Sequence, residues 1–525
     1  MLAKIKTNDY KSFQIYSEID NTLLLETSDT TKIIPAFGED LVEFVDGCVK
    51  KVVMRSINHK NIVGVLETHT KTLYGVDKRN RNIYLFHPLD KSLPDFYVSS
   101  LHKNERTNYW CTINFIDWDR NRPRGGLVSI IGKVDDFDVE CAALLQHYRP
   151  ERHPLVNLEN ISEEYTMLID KFSSVEDNNI VSIDPNGCRD IDDAFSIRQN
   201  TNGEIDLSIY ISNLAYSILP DTPLDNYAKK YMETLYLNDG TNIPLYPHTL
   251  SENTFSLLEG KWRLTLALHS TISITGEIDT KFCVESIKVD KNLSYENCKN
   301  YVKIDWNLVR EVCALLSHKL DIEYNDDSHY WIEIMMIYYN HIAAKTLLNN
   351  SSNKAIYRTQ GEKCIIEPLE LPISLKFLAM DSAQYSSIPS KHFGLNLDLY
   401  THATSPIRRY VDLLVQRLLC MNTTNISEVD INKYNQICKH NKRFYRSYLY
   451  LSKIAENETR QASLIIMNSI SSDKYTVYIP DWKTILHVRL TNVKNAMPGD
   501  KLNIKYYVNP NSFRPEKRII FSVIA

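Results

Sequence analysis

From Met1 to about Tyr148, apolar and polar residues alternate with a period of two in short bursts. "LVEFVDGCVKKVVM", "NIVGVLETHT", "RNIYLFHP", "NYWCTINFIDWD" and "GGLVSIIGKV" are rich in β-branched and aromatic residues. Asn, Asp, Pro and Gly punctuate them, as expected for strands joined by turns. Strands this short at this spacing predict small antiparallel barrels. The length suits two, with a break near Pro88, giving domains at 1–88 and 89–156. "DDFDVECAALLQHY" reads as an amphipathic helix leading out.

Between about Asn157 and Ser463 the period switches back and forth. "NNIVSIDP", "IDLSIYISNLAYSIL" and "WRLTLALHSTISIT" predict strands. "ISEEYTMLIDKFSS", starting at Ser162, "DWNLVREVCALLSHKLDI", "YWIEIMMIYYNHIAAKTLLNN" and "IRRYVDLLVQRLLCMN" predict helices, as does the long stretch opening "NKYNQICKHNKRFYRSYLY". This is an α+β body spanning 157–463. After it "DKYTVYIPD", "TILHVRL", "KLNIKYYV" and "RIIFSVIA" return to period two, predicting a compact barrel over 464–525. The expected fold class is thus multidomain α+β: a central mixed body flanked by small β-barrels.

Composition narrows the picture modestly. A chain of 525 residues exceeds one core, consistent with several domains. Apolar residues make up 43% and charged residues 24%, ordinary for a soluble protein. No apolar run approaches the ~18 residues of a membrane helix. "MLAKIKTNDYKSF" lacks the apolar core of a secretory signal, so a cytoplasmic protein is expected. The 10 cysteines form no CxxC pair, which argues against a zinc ribbon and for reduced thiols. Net charge is −5, so no global basic field announces nucleic acid, although phosphate contacts need only local cations. Tyrosine is abundant at 32, either a compositional bias or a base-stacking surface.

One stretch demands a chemical explanation. "SIDPNGCRDIDDAFSI" holds Asp184, Asp190, Asp192 and Asp193 between apolar flanks. Like charges gripped between buried strands require cations to offset repulsion and desolvation. A calcium loop would end in glutamate, but the corresponding position is Phe195. A solvated turn fits the apolar flanks poorly. A Mg²⁺ site, with Mn²⁺ as an alternative, suits carboxylate oxygens and phosphoryl transfer by two ions. Spacing by itself leaves all three readings open.

Far downstream, "HFGLNLDLYTHATSPIRRYVDLLVQRLL" places Arg408 and Arg409 after Pro406, where a helix is expected to begin with Thr404 and Ser405 as caps. Cations in a first turn oppose the helix dipole unless an anion is near. Ordinary surface arginines remain the alternative.

The two stretches together resemble the signature segments of the ribonuclease II / ribonuclease R family, whose catalytic body is the RNB domain. "ETLYLNDGTNIPLYPHTLSENTFSL", "WIEIMMIYYNHIAA" and "AQYSSIPSKHFGL" are similar to family segments in the same order. The flanking β-regions match the family's two cold-shock-type barrels and C-terminal RNA-binding barrel. The resemblance implies a Mg²⁺-dependent hydrolytic exoribonuclease that works from the 3′ end of single-stranded RNA, releases 5′-mononucleotides, and acts as a monomer away from membranes.

By position, the resemblance makes Asp184, Asp190, Asp192 and Asp193 the metal carboxylates, with Asp192 and Asp193 central to catalysis. It makes Arg408 the ligand of the scissile phosphate. It assigns RNA contacts to Tyr236, which stacks on the terminal base, and to Arg409 and Glu456. Tyr324 would stand in for an aromatic that the family carries on a longer hairpin. Tyr210, Asn213 and Gln416 depart from the family's His, Asp and His, and Glu333 is followed by Ile334 rather than a second glutamate. None of these removes a metal carboxylate or Arg408. The alternative is a catalytically weak or silent RNA-binding regulator on the same body.

Overall fold

The computed structural model describes the chain except residues 57–59, 70–71, 73, 102–106, 120–121, 176–178, 238–239, 351–354, 363–380, 422–426, 456–459, 492, 494–495, 510–511 and 525. Its contacts divide into two compact units, Met1–Glu151 with Lys442–Ala525, and Arg152–Asn441.

In the first unit, β1 (Leu2–Lys6), β2 (Phe13–Ser17), β3 (Leu23–Thr27), β4 (Leu41–Val45) and β5 (Cys48–Met54) form a sheet in the order β3-β2-β1-β4-β5. This sheet is open among the described residues, where a closed barrel was expected. Its edges are β3 and β5, and on β5 Lys50, Lys51, Val53 and Met54 all face solvent, with the two lysines the kind of charge that guards an open edge.

The next five strands close into a barrel in the order β10-β8-β7-β6-β9. They are β6 (Ile62–Leu66), β7 (Asn82–Pro88), β8 (Phe96–Ser100), β9 (Tyr109–Asp119) and β10 (Arg122–Lys133). The boundary expected at residue 88 is therefore displaced into the segment between Met54 and Ile62. The run "IVGVL" is buried throughout and pairs with both β7 and β9. Gly64 permits this: a Cβ there would strike the His87 carbonyl and the Phe86 ring. Closure uses one parallel pairing, β8 with β10, in a barrel expected to be wholly antiparallel. Helix α1 (Phe137–Tyr148) follows, capped by Asp136.

The second unit is built on a seven-stranded sheet, order β11-β18-β17-β14-β13-β12-β19. Its strands are β11 (Ser174–Val175), β12 (Val181–Asp184), β13 (Asp193–Gln199), β14 (Ile205–Ser212), β17 (Trp262–Ile272), β18 (Ile278–Lys288) and β19 (Lys291–Ser294). The short pair β15 (Leu235–Tyr236) and β16 (Asn242–Ile243) lies between β14 and β17 in sequence. Alternation sorts the sheet's faces. Phe195, Ile197, Leu207, Ile209, Ile211, Leu264 and Leu268 join the main core, while Ala194, Tyr210 and Ala267 join a smaller one.

Helices α2 (Leu158–Ile169), α3 (Pro223–Tyr231), α4 (Trp306–Leu320), α5 (Ser328–Asn350) and α6 (Tyr410–Cys420) pack into the same main core. α5 is buried on most sides, with Trp331, Met335, Tyr339 and Ala343 at 0% exposure, as its nearly continuous apolar run requires. α2 begins four residues before the expected Ser162. Asn157 caps it by accepting from the Asn160 N–H at 3.1 Å, and Ser162 instead donates back to the Leu158 carbonyl. Strands β20 (Tyr357–Thr359) and β21 (Gln384–Ser386) pair outside the main sheet.

Helix α7 (Glu428–Ala455) leads to the last barrel. It closes in the order β22-β23-β24-β26-β25 and contains β22 (Gln461–Ser471), β23 (Lys474–Ile479), β24 (Thr484–Thr491), β25 (Lys501–Val508) and β26 (Ile519–Val523). One parallel pair, β24 with β26, again completes it. Within this first unit, Arg518 is buried and ion-paired to Glu140 and Asp135 of the α1 region. Among the described residues the cysteines are free thiols, and no helix is long and apolar enough to cross a membrane.

Candidate active site

The four aspartates sit where β12 ends and β13 begins. Asp184 is the last residue of β12, Asp193 the first of β13, and the loop between them carries Asp190 and Asp192. Gly187 takes a left-handed φ of +83° that lets this loop reverse. Backbone bonds hold its far limb. The Ser212 N–H donates to the Asp192 carbonyl (2.9 Å), and the Leu257 N–H to the Ile191 carbonyl (3.0 Å). Ser256, fully buried, accepts from the Ile191 N–H (3.0 Å) and donates to the Arg189 carbonyl (2.7 Å). Nothing in the local sequence marked Ser256, because its partners are some 65 positions away.

Arg408 reaches this loop from the other end of the unit. Its Nε lies 3.0 Å from Asp192 Oδ2, and the Ile407 N–H donates to Asp192 Oδ1 at 2.9 Å. The aspartate is 2% exposed and the arginine 46%, so the pair is anchored at one end and open at the other. The helix expected from Pro406 starts instead at Tyr410, leaving Arg408 in the preceding turn and Arg409 as the N-cap. Strand-like pairing explains the delay. The Thr234 N–H donates to the Arg408 carbonyl (2.9 Å), and the Tyr410 N–H to the Met232 carbonyl (2.8 Å). Residues 408–410 thus lie alongside residues 232–234, the segment leading to Tyr236, and Arg409 is held extended at φ −135°.

Burial dominates the electrostatics. It pushes Asp184 up to about 6, with the charge of Asp190 adding and Arg408 opposing. It pushes Asp193 up to about 7, with Asp184 adding. Asp192 is driven well above the usual carboxylate range by burial, against the pull of Arg408 and the Ile407 N–H. Asp184 Oδ2 is buried without a hydrogen-bond partner. Three carboxylates are therefore short of positive charge, with Arg408 the cation that bears on all of them. Oxygen donors in this state fit a hard divalent cation. Even so, among the described residues no three acidic, His or Cys side chains already converge as an ion-binding group.

Tyr236 is 39% exposed, and its hydroxyl donates to Asp190 Oδ2, so the expected base-stacking ring does lie at the acidic loop. Arg409, expected on RNA, spends Nε and Nη2 on Asp412, both at 2.9 Å. Tyr324 is not brought to the carboxylates by its contacts: it bonds Asp326 and meets the Tyr330 ring edge-on at 5.7 Å, both local partners. Glu456 lies outside the described residues.

The aromatic that sequence reasoning missed is Tyr295. Its ring stacks on His329 (3.8 Å, 17°), and burial, then Asp193 and Asp184, hold its hydroxyl above the usual range. A tyrosine just after a short strand carries no local signal of this proximity.

The family departures are absorbed structurally. Gln416 donates to the Ser212 carbonyl (2.6 Å) and accepts from the Leu214 N–H (3.2 Å). Asn213 accepts from the Ala215 N–H at 3.0 Å, and the Tyr210 hydroxyl meets Ser196 at 3.2 Å. Glu333 faces solvent, and Ile334 is in the core.

A curled sheet ending in a buried acidic loop, faced by an arginine turn, defines an RNB-type body. The sequence profile of the RNB domain matches residues 172–310 and 367–425, and that of the Dis3-like cold-shock domain 2 matches residues 83–149. The chain belongs to the ribonuclease II / ribonuclease R family of RNB-domain proteins.

It is 23% identical over 512 residues to the human exosome complex exonuclease RRP44, covering 80% of this chain and 53% of that protein. It is 25% identical over 455 residues to ribonuclease R of Thermotoga maritima, covering 70% and 64%. The chain thus spans between half and two thirds of the length of these curated relatives. Among solved structures, RNA-free RNase R of Mycoplasma genitalium superposes with a TM-score of 0.76 at 18% identity, covering both chains completely. The same enzyme in complex with ribose-methylated single-stranded RNA gives 0.74 at 17% identity, also over both whole chains. Yeast Ssd1, a pseudonuclease, gives 0.62 at 16% identity, covering 93% of this chain and 79% of its own.

Proposed function

We propose that this protein is a hydrolytic 3′→5′ exoribonuclease that shortens single-stranded RNA to 5′-mononucleotides, with Asp184, Asp190, Asp192 and Asp193 holding Mg²⁺. The observation that carries this reading is the meeting of Arg408 with buried Asp192 beside the partnerless Asp184 oxygen. When bound, divalent cations supply Lewis-acid stabilisation of the phosphoryl group and a nucleophilic water at neutral pH.

The chain's own groups do the rest. Asp192 and Ser405 hold Nε and Nη2 of Arg408, leaving the exposed remainder of the guanidinium for a phosphate oxygen. A fixed planar donor can then spread charge as it develops on that oxygen. The Tyr236 ring supplies a face for the terminal base, and base stacking tolerates any sequence. Tyr295, stacked on His329 and within the field of Asp193 and Asp184, is the candidate for the role expected of Tyr324.

A second reading is a silent RNA-binding regulator. The likeness in fold to the pseudonuclease Ssd1 favours it. Single-stranded RNA labelled at its 5′ end, incubated with Mg²⁺ and with chelator, separates the two. A ladder receding from the 3′ end that chelator abolishes supports the exonuclease; tight binding without product supports the regulator. Internal cuts in a circular RNA would point to an endonuclease and overturn both.

A further inference from the structure

The two adjacent arginines of the turn have opposite duties. Arg408 is half open to solvent and meets Asp192. Arg409 points its fork at Asp412, whose side chain is fully buried. Asp412 is the third residue of α6, where an acidic side chain ordinarily caps its own helix by accepting from the N-cap backbone. Here it does not: the N-cap N–H, that of Arg409, donates to the Ser405 carbonyl (2.8 Å). Asp412 Oδ1 accepts instead from the Ser405 N–H, seven positions back, at 2.8 Å. One carboxylate thus grips both ends of the turn, Ser405 by its backbone and Arg409 by its side chain. Between those ends lie the Ile407 N–H and the Arg408 Nε, which both meet Asp192.

We propose that Asp412 is a positioning residue for phosphate recognition: by fixing the Ser405–Arg409 turn it aims Arg408 and the Ile407 N–H at Asp192, and it withdraws Arg409 from any contact with RNA. This deepens the exonuclease reading and rests on it. The Asp412 side chain is fully buried and holds Ser405 and Arg409, so it acts through the turn.

The test compares Asp412→Asn, Arg409→Gln and Arg408→Lys, singly, and Asp412→Asn combined with Arg408→Lys. Asn keeps the shape of Asp412 but cannot accept both arms of Arg409. Single-turnover cleavage is expected to fall about 10- to 100-fold in Asp412→Asn, the range for one lost charge-assisted contact. RNA affinity without cation should change less than about threefold, a split between chemistry and binding that general loosening of the fold would not give. In the Arg408→Lys background the same change should cost less than about twofold, because the group it aims is already gone. Arg409→Gln, which spares Asp412 and its Ser405 bond, should reproduce the loss in rate and serves if Asp412→Asn does not fold.

An undiminished effect in the Arg408→Lys background overturns the proposal. So does a fall of about one in the salt slope of RNA binding for Arg409→Gln, the mark of a direct phosphate contact. If the wild-type protein itself cleaves nothing, the exonuclease reading has failed, and amide exchange then judges the turn. Faster exchange at Ser405 and Ile407 in Asp412→Asn upholds the positioning role, and unchanged protection refutes it.

Discussion

Replacing Asp192 with asparagine separates what the acidic loop does for chemistry from what it costs in stability. The change is nearly isosteric. The amide oxygen can still accept from the Ile407 N–H at 2.9 Å, so the backbone of the turn keeps its anchor. What disappears is the negative charge 3.0 Å from the Arg408 Nε and the oxygen available to a cation. A lost charge-assisted contact is worth about 1.5–3 kcal/mol, or roughly 10- to 100-fold in rate through the arginine by itself. Loss of a cation ligand adds to this, so cleavage should fall at least about 10³-fold.

Stability should move the other way. Burial holds Asp192 well above its usual range. A carboxyl whose folded value is raised binds protons more tightly in the native state, so it destabilises increasingly as pH climbs past its ordinary titration. Without cation, Asp192→Asn should therefore melt no lower than wild type at pH 5 and measurably higher at pH 8. Differential scanning calorimetry in chelator at the two pH values, beside the labelled-RNA assay, reads both effects. A variant that cleaves within tenfold of wild type, or that melts lower at pH 8, refutes the argument that this loop trades stability for charge.

Three further outcomes are expected. Tyr236→Ala should weaken RNA binding by the ~1–3 kcal/mol of one stacked base, while Tyr236→Phe, which loses only the bond to Asp190, should retain affinity in a filter-binding assay. Arg518→Ala should lower unfolding stability by about 3–5 kcal/mol in urea titration, because it strands buried Glu140 without its counter-charge. Burial opposes the charge on His87, but Asp95 at 3.0 Å and Glu67 at 3.2 Å outweigh it and hold the ring above its usual value. That contribution is complete below about pH 6.5 and fades as pH rises through the folded value, so His87→Asn should cost more in melting temperature at pH 6 than at pH 8.5.

Much of this architecture is legible in the sequence because it is written locally. Period-two runs such as "IDLSIYIS" and the apolar stretch of α5 became the strand and helix their patterns imply. The acidic loop and the arginine turn were found as dense, unusual strings. The misreadings share a cause: partners distant in sequence overruled local preference. Pro406 looked like a helix start, yet pairing with residues 232–234 holds Arg408 outside the helix. Ser162 reads as a helix start, yet the helix begins at Leu158 with Asn157 as its cap. "NIVGVL" preceded the supposed domain break, yet its burial on both faces drew it into the second barrel. Ser256 and Tyr295 were invisible for the same reason, since neither gains meaning until the chain has brought the acidic loop to it.

The main-chain bonds from Thr234 to Arg408 and from Tyr410 to Met232 carry a last implication. They splice the tyrosine's ribbon to the arginine's, so peptide groups fix the spacing of the two backbones from which the ring and the guanidinium project. Under the exonuclease proposal, such a gauge would make the size of each step a property of the scaffold. Substitutions around it could then retune speed or grip while the step itself stayed constant.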